Sequence, residues 1–278
     1  MKKIILVFIS FISLLCFSQN NNSNKFESPI DFPILLSGNF GELRSSGFHS
    51  GIDIKTQGKE GLPIRSIDSG YVARVQVSTS GFGKVVYIDH GNNITTVYAH
   101  LSEFSDKIEK IMNKLQYKNK KYEVRKFFKS NELKIGKKEI IGLSGNTGSS
   151  FGPHLHFEIR KTDKELPINP LYYNFDVKDT IRPYLRSLFL YGIKNGSLRK
   201  KQLNLSKVND STFTTGTIKT TDTIGFGIVS YDRQNKTNNI FGNYKYSLFK
   251  NDTLSFELIF DSFRCSAEPF LKKFIDNE

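Results

Sequence analysis

From position 28 to 174 the chain is a succession of short apolar segments interrupted by glycine, and this punctuation constrains the fold more than any other feature. Residues 71–77 alternate into Val75 and Val77. Segments 84–90 and 94–101 flank Gly91-Asn92-Asn93, a hairpin signal, because Gly and Asn tolerate the positive φ that tight turns demand. Segments 139–143 and 155–159 are further short apolar strands. Short strands at close spacing with glycine turns point to an antiparallel β fold.

One segment departs from this pattern. Ile108, Ile111, Met112 and Leu115 recur at helical spacing, and a basic run follows through 118–129. This predicts a helical insertion at 105–132 between two strands, either a solvated surface excursion or a lid or partner-docking arm. Pro167, Pro170 and Pro183 mark 161–183 as a linker or strap around the first domain. Strand-like runs then return at 185–191, 212–217, 224–231, 244–249 and 254–260, separated by Asn and Asp turns. The expected architecture is mainly β: an antiparallel β core at 28–174 carrying the helical insertion, then a small β-sandwich-like C-terminal domain at 184–278.

Composition narrows the class. Aromatic residues make up 13% of the chain, with 24 Phe and 12 Tyr, which excludes a wholly disordered polymer. Two cysteines, Cys16 and Cys265, exclude a disulfide scaffold and a Cys-rich zinc module. Met1-Lys2-Lys3 followed by an apolar run to Phe17 has the basic and apolar regions of a secretory signal peptide, with a cut near Ser18. The run is shorter than the roughly 20 residues of a membrane span. The other readings of this stretch are an uncleaved anchor and lipid attachment at Cys16, for which the preceding Leu15 is not the small residue required. An exported protein, in the periplasm, cell envelope or extracellular space, is therefore expected. No stable transmembrane segment is expected after cleavage. The charge of +13 comes without a nucleic-acid motif, so its natural neighbours are anionic envelope polymers, unless it only reflects a lysine-rich composition.

The chemistry-bearing residues fall in three places. His49 and Asp53 are four apart, where Gly47, Gly51 and the β-branched Ile52 and Ile54 argue for a loop entering a strand. On a strand positions i and i+4 share a face. His154 and His156 follow the glycine-rich stretch 145–153 and open a strand, where i and i+2 share a face. Two imidazoles, with a nearby His and Asp, make a plausible zinc site. Without paired Cys the catalytic class, which keeps a position open for water, is favoured over the structural one. His100 sits late in its own strand, and its weight depends on that strand lying beside the one carrying His154 and His156.

Together, Gly-Phe-His49-Ser-Gly-Ile-Asp53, Tyr98-Ala99-His100-Leu101 and Gly152-Pro153-His154-Leu155-His156-Phe157-Glu158 resemble the lysostaphin/LytM-type zinc endopeptidases, which are peptidoglycan hydrolases. The likeness runs from about Asn39 to Glu158. It implies an antiparallel β core with a groove over one zinc ion per chain. By resemblance His49, Asp53 and His156 are the metal ligands. His154 and His100 flank the bound water as general base and as stabiliser of the tetrahedral intermediate. Glu158 is then supporting or structural, and His90 is a structural residue at its turn. The insertion at 105–132 and everything after Tyr184 lie outside the compact family pattern.

The function this implies is a secreted zinc metalloendopeptidase acting on peptidoglycan stems or cross-links, with the peptidoglycan peptide as partner and an envelope regulator protein as a possible second. The alternative is a non-catalytic or lid-regulated module that binds peptidoglycan or activates wall amidases. The full set of five competent side chains favours catalysis. A general protein-degrading metalloprotease lacks the His-Glu-x-x-His helix signature.

Overall fold

The computed structural model describes residues 26–44, 47–194, 197–219 and 223–263. The expected signal peptide at 1–18, with Cys16, and the lone Cys265 lie outside these residues. The described chain divides into two compact units, 26–178 together with 261–263, and 179–260.

The first unit runs through β1 (Leu36–Gly38), β2 (Leu43–Arg44), β3 (Gly47–Phe48), β4 (Ile52–Lys55), β5 (Pro63–Arg65), β6 (Gly70–Val77), β7 (Lys84–Asp89), β8 (Ile94–Leu101) and β9 (Glu103–Phe104). After helix α1 (Asp106–Asn119) come β10 (Val124–Phe127), β11 (Lys134–Ile135), β12 (Ile140–Leu143), β13 (His154–Lys161) and β14 (Leu166–Ile168). Nine of these form one antiparallel sheet in the order β1-β4-β13-β8-β7-β6-β10, with β11 also on β6 and β14 also on β13. β5, β12 and β9 make a smaller sheet, and β2 pairs β3 as a hairpin. The antiparallel reading of 28–174 is thus borne out strand by strand.

Strict alternation gives β13, an interior strand of this sheet, two different faces. Leu155, Phe157 and Ile159 occupy one face and are fully buried. Their cross-strand partners on β4 are Ile54 and Ile52. Each such side chain contributes about 1.5–3 kcal/mol through burial. Tyr98 of β8 packs its ring on Phe157 at 5.3 Å and its hydroxyl accepts from the Ile67 amide at 3.1 Å. Burial pushes that phenol up to about 12. The opposite face carries His154, His156, Glu158 and Arg160, so one eight-residue strand separates the core from the chemistry.

The 105–132 segment is helical over only part of its length. α1 buries Ile108 and Met112, and it ends where Lys120 takes the left-handed conformation at φ 50° and donates to the carbonyls of Gln116 and Tyr117. The chain then turns into β10, which pairs with β6 from Val124↔Val77 to Phe127↔Arg74. Val124 and Phe128 are buried, so apolar residues inside the basic run draw it onto the sheet edge.

The second unit contains β15 (Tyr184–Lys194), β16 (Ser197–Leu203), β17 (Ser206–Asn209), β18 (Thr212–Thr214), β19 (Thr223–Tyr231), β20 (Lys245–Lys250) and β21 (Thr253–Ile259). Among the described residues these form a three-stranded sheet, β16-β15-β19, and the hairpins β17-β18 and β20-β21. Leu188, Leu203 and Phe241 are buried. Asp232 and Phe241 exchange backbone hydrogen bonds at 2.9 Å in both directions. Burial raises the Asp232 carboxyl to about 6, the Arg233 amide opposes the rise, and the Asp179 charge adds to it. The folded state therefore holds this proton more tightly than the unfolded chain, and stability falls as pH rises from about 4 to about 6. Asp232→Asn is expected to raise the melting temperature at pH 7 and leave it unchanged near pH 3, measured by calorimetry.

After this unit the chain returns to the first. The Asn169 amide donates to the Asp261 carbonyl at 2.7 Å, and Ser262 bridges Ile168. Phe263 packs on Phe40 and Phe48 at 5.0 and 5.9 Å between ring centres. Phe48 immediately precedes His49, so this return buttresses the hairpin that presents a site residue. No helix among the described residues is long and apolar enough to cross a membrane.

Candidate metal centre

Gly51 lets the loop between β3 and β4 press against β13. A Cβ built there would stand 2.3 Å from the Phe157 carbonyl oxygen and 2.8 Å from Glu158 Cγ. The carbonyl is backbone in a central strand and cannot yield. The close approach brings Ser50 Oγ within 2.5 Å of Glu158 Oε1, and it brings His49 over His156. Gly51→Ala is therefore expected to destabilise the fold by about 2 kcal/mol, as overpacking does, and to lower metal content. Urea unfolding with metal analysis on the same sample checks both.

Three donor atoms meet at this point. His49 Nε2 lies 3.1 Å from Asp53 Oδ1 and 3.0 Å from His156 Nδ1, and the last two are 2.9 Å apart. All three residues are buried. Their outer atoms are already engaged. His49 Nδ1 donates to the Asn39 carbonyl at 2.8 Å, and His156 Nε2 donates to Glu158 Oε1 at 2.8 Å. Asp53 Oδ2 accepts from Arg44 Nη2 at 2.5 Å. Neutral imidazoles held in this way turn their lone pairs inward, towards each other and towards a carboxylate oxygen. Such a triangle needs a positive charge at its centre. A proton on His156 is one solution, and a divalent cation is the other. The spacing suits the second, since ligands at about 2.0–2.1 Å from a tetrahedral ion are about 3.3 Å apart. The donor set of two imidazoles and one carboxylate fits a small divalent metal.

The electrostatics follow from burial and pairing. Burial works against ionised Asp53, but the imidazoles of His154, His156 and His49 beside it hold its carboxyl well below the usual range. Burial lowers His49 against the pull of Asp53. Burial would also lower His156, yet the carboxylates of Asp53 and Glu158 outweigh it and raise it to about 9. Glu158 is fully buried, and the Arg160 charge and His156 together bring it down to about 2 despite that burial.

His154 and His100 complete the group. His154 Nδ1 donates to the Gly152 carbonyl at 2.8 Å, and its Nε2 is 3.6 Å from Asp53 Oδ1. Register places His156 beside Ala99, so β8 is the neighbour of β13 that gives His100 its weight. His100 has φ +61°, at the irregular end of the β7–β8 pairing. A non-glycine residue there is strained, which is common where a side chain must be re-aimed. Its Nδ1 donates to the Thr147 carbonyl at 2.8 Å, and its ring centre lies 4.8 Å from that of His154. Burial first, then the His156 and His154 charges, lower it to about 4. His90 lies apart, bonded to the Ser69 carbonyl and Thr96 Oγ1.

Sequence reasoning missed four participants. Arg160 was within reach, two residues beyond Glu158 on the same strand face. Phe82, whose ring is 5.1 Å from that of His156, Ser50 and Arg44 carry no signal outside the fold.

Residues 47–117 and 110–170 match the profile of Peptidase family M23. DD-carboxypeptidase/endopeptidase Mpg of Neisseria meningitidis serogroup B is 32% identical over 129 residues, which cover 46% of this chain and 23% of that protein. Peptidoglycan DD-endopeptidase ShyA of Vibrio cholerae is 28% identical over 159 residues, covering 55% of this chain and 30% of that protein. The likeness thus spans about a quarter of the length of these relatives. Among solved structures, a mutant catalytic domain of the prophage-encoded M23 protein EnpA from Enterococcus faecalis has 26% identity and a TM-score of 0.39, over 54% of this chain and 98% of that one. Over residues 47–170, the chain is therefore similar to peptidase family M23, whose profile it matches there.

Proposed function

We propose that the chain is an exported zinc metalloendopeptidase that hydrolyses peptide bonds in peptidoglycan stems or cross-links. One observation carries the reading: three buried donor atoms, on His49, Asp53 and His156, converge within about 3 Å beside two further imidazoles. The relatives' names supply the substrate class, Mpg being a DD-carboxypeptidase/endopeptidase and ShyA a peptidoglycan DD-endopeptidase.

His49, Asp53 and His156 would hold the ion. Zinc, when bound, polarises a carbonyl and lowers the pKa of water to about 7. The remaining work falls to the chain. Glu158 and the Asn39 carbonyl keep the two ligand imidazoles in the tautomer that faces inward. Arg44 holds the second oxygen of Asp53, which leaves the first for the ion. His154 and His100 each commit Nδ1–H to a backbone carbonyl, so Nε2 is their proton acceptor. The imidazole that takes the proton of the attacking water becomes a donor at Nε2. It can then hold the developing oxyanion or return the proton to the leaving amine. Burial of His100 keeps it neutral and ready to accept at neutral pH.

The test is digestion of purified peptidoglycan by the zinc-loaded protein, with new amino termini and muropeptides read by mass spectrometry. Chelator-sensitive release of new amino termini is expected. Digestion of casein without any action on peptidoglycan would overturn the substrate class.

A further inference from the structure

The face that carries the metal centre continues across the sheet into a second polar feature. Register aligns Glu158 with Val97, Val97 with Tyr87, Tyr87 with Arg74, and Arg74 with Phe127. The adjacent row aligns Val85 with Gln76 and Gln76 with Arg125. Over these rows lies a groove of about 560 Å³ lined by Arg74, Arg125, Arg160, Tyr87, Glu123 and Glu165, among others. Phe82 also lines it and packs against His156 at 5.1 Å and His100 at 6.4 Å, so one ring borders both the groove and the metal centre.

Arg160 is matched by Glu158 at 2.5 Å from its Nε, and Arg125 donates to Gln76 Oε1 at 2.8 Å, whereas the carboxylates nearest Arg74 match it poorly. Glu123 is committed to the amide and hydroxyl of Thr79 at 2.8 and 2.6 Å. Glu165 alone is shared between two arginines, at 3.4 and 3.5 Å from Arg74 and 3.3 Å from Arg160. These are long contacts for charge-assisted hydrogen bonds, which run at about 2.7–2.9 Å. The Glu165 side chain is 61% exposed and so is easily displaced. Arg74 is held in place by stacking on Tyr87 at 3.7 Å, while its buried Nε has no hydrogen-bond partner among the described residues. Arg125 is exposed and presented by β10, the strand that continues the 105–132 segment. That segment thus extends the groove floor.

We propose that this groove is a subsite for a free carboxylate of the peptide substrate, with Arg74 and Arg125 as the residues that select it. The proposal rests on the peptidase reading above. From β13 to β6 there are three strand spacings, roughly 14 Å. An extended peptide covers this in about four residues, so the recognised carboxylate lies about four residues from the bond cleaved. A ligand carboxylate would take the position that Glu165 fills loosely.

The test compares a purified cross-linked muropeptide bearing free carboxylates with the same muropeptide after amidation. Cleavage by the zinc-loaded full chain and binding by titration calorimetry are both measured. Wild type is expected to favour the free-carboxylate form by about tenfold or more, consistent with a charge-assisted pair. Arg125→Gln and Arg74→Gln should each bring that ratio to within about twofold of unity, through KM and with metal content unchanged. Arg125 is exposed, so its variant keeps the test valid if loss of the Arg74 stack unfolds the protein. Cleavage of both forms at equal rates, or an unchanged ratio in Arg125→Gln, would overturn the subsite and leave the peptidase reading standing. Preferential binding lost in Arg125→Gln, without cleavage of either form, would uphold the subsite and overturn the peptidase. Neither preference nor cleavage would overturn both.

Discussion

Replacing His156 by alanine is expected to reduce bound zinc from about one per chain to nearly none and peptidoglycan cleavage to background. His156 supplies one corner of the donor triangle, and no other described imidazole nitrogen lies as close to Asp53 Oδ1 as its Nδ1, at 2.9 Å. The variant should still fold. Glu158 loses the imidazole but keeps Ser50 Oγ and Arg160 Nε, each at 2.5 Å, so its buried charge stays paired. A stability loss of up to about 3 kcal/mol accompanies the change, because a buried charge network loses one member. Zinc analysis with circular dichroism separates ligand loss from unfolding. A folded, active, metal-free His156→Ala protein would contradict the mechanism.

His154→Ala is expected to behave differently. His154 is two residues from His156 on the same strand face, but it stands outside the triangle, with Nε2 3.6 Å from Asp53 Oδ1. Its side chain is 16% exposed, against 4% for His156, so it is the more accessible of the two to water. The variant should retain zinc and lose kcat by about 10²–10⁴-fold, the range for removal of a general acid–base group. Zinc content and steady-state kinetics on one muropeptide substrate test this. Zinc loss in parallel with activity would make His154 a ligand instead.

The parity of β13 made much of this site legible in advance. Alternation alone puts His154, His156 and Glu158 on one face, and the pairing of β13 with β4 and β8 then delivers Asp53 and His100. The pairing itself could not be read from spacing. His49 and Asp53 are separated from His156 by about a hundred residues of chain, and only the sheet order joins them. The re-aiming of His100 at φ +61° was also invisible, since no local sequence signal marks a histidine for the left-handed region. The 105–132 segment shows another limit. Helical spacing over Ile108–Leu115 was correct for α1, but the same basic composition continues past the helix end, and only Val124 and Phe128 hint at a strand. Residues 261–263 return to the first unit through backbone bonds and one phenylalanine, which no periodicity announces.

The most direct test of the metal centre is anomalous diffraction at the zinc edge from crystals grown with stoichiometric zinc. A single strong peak bounded by His49 Nε2, Asp53 Oδ1 and His156 Nδ1 is expected, with Glu158 still on His156 Nε2. A peak elsewhere, or none at these three atoms, would contradict the assignment on which the proposed function rests.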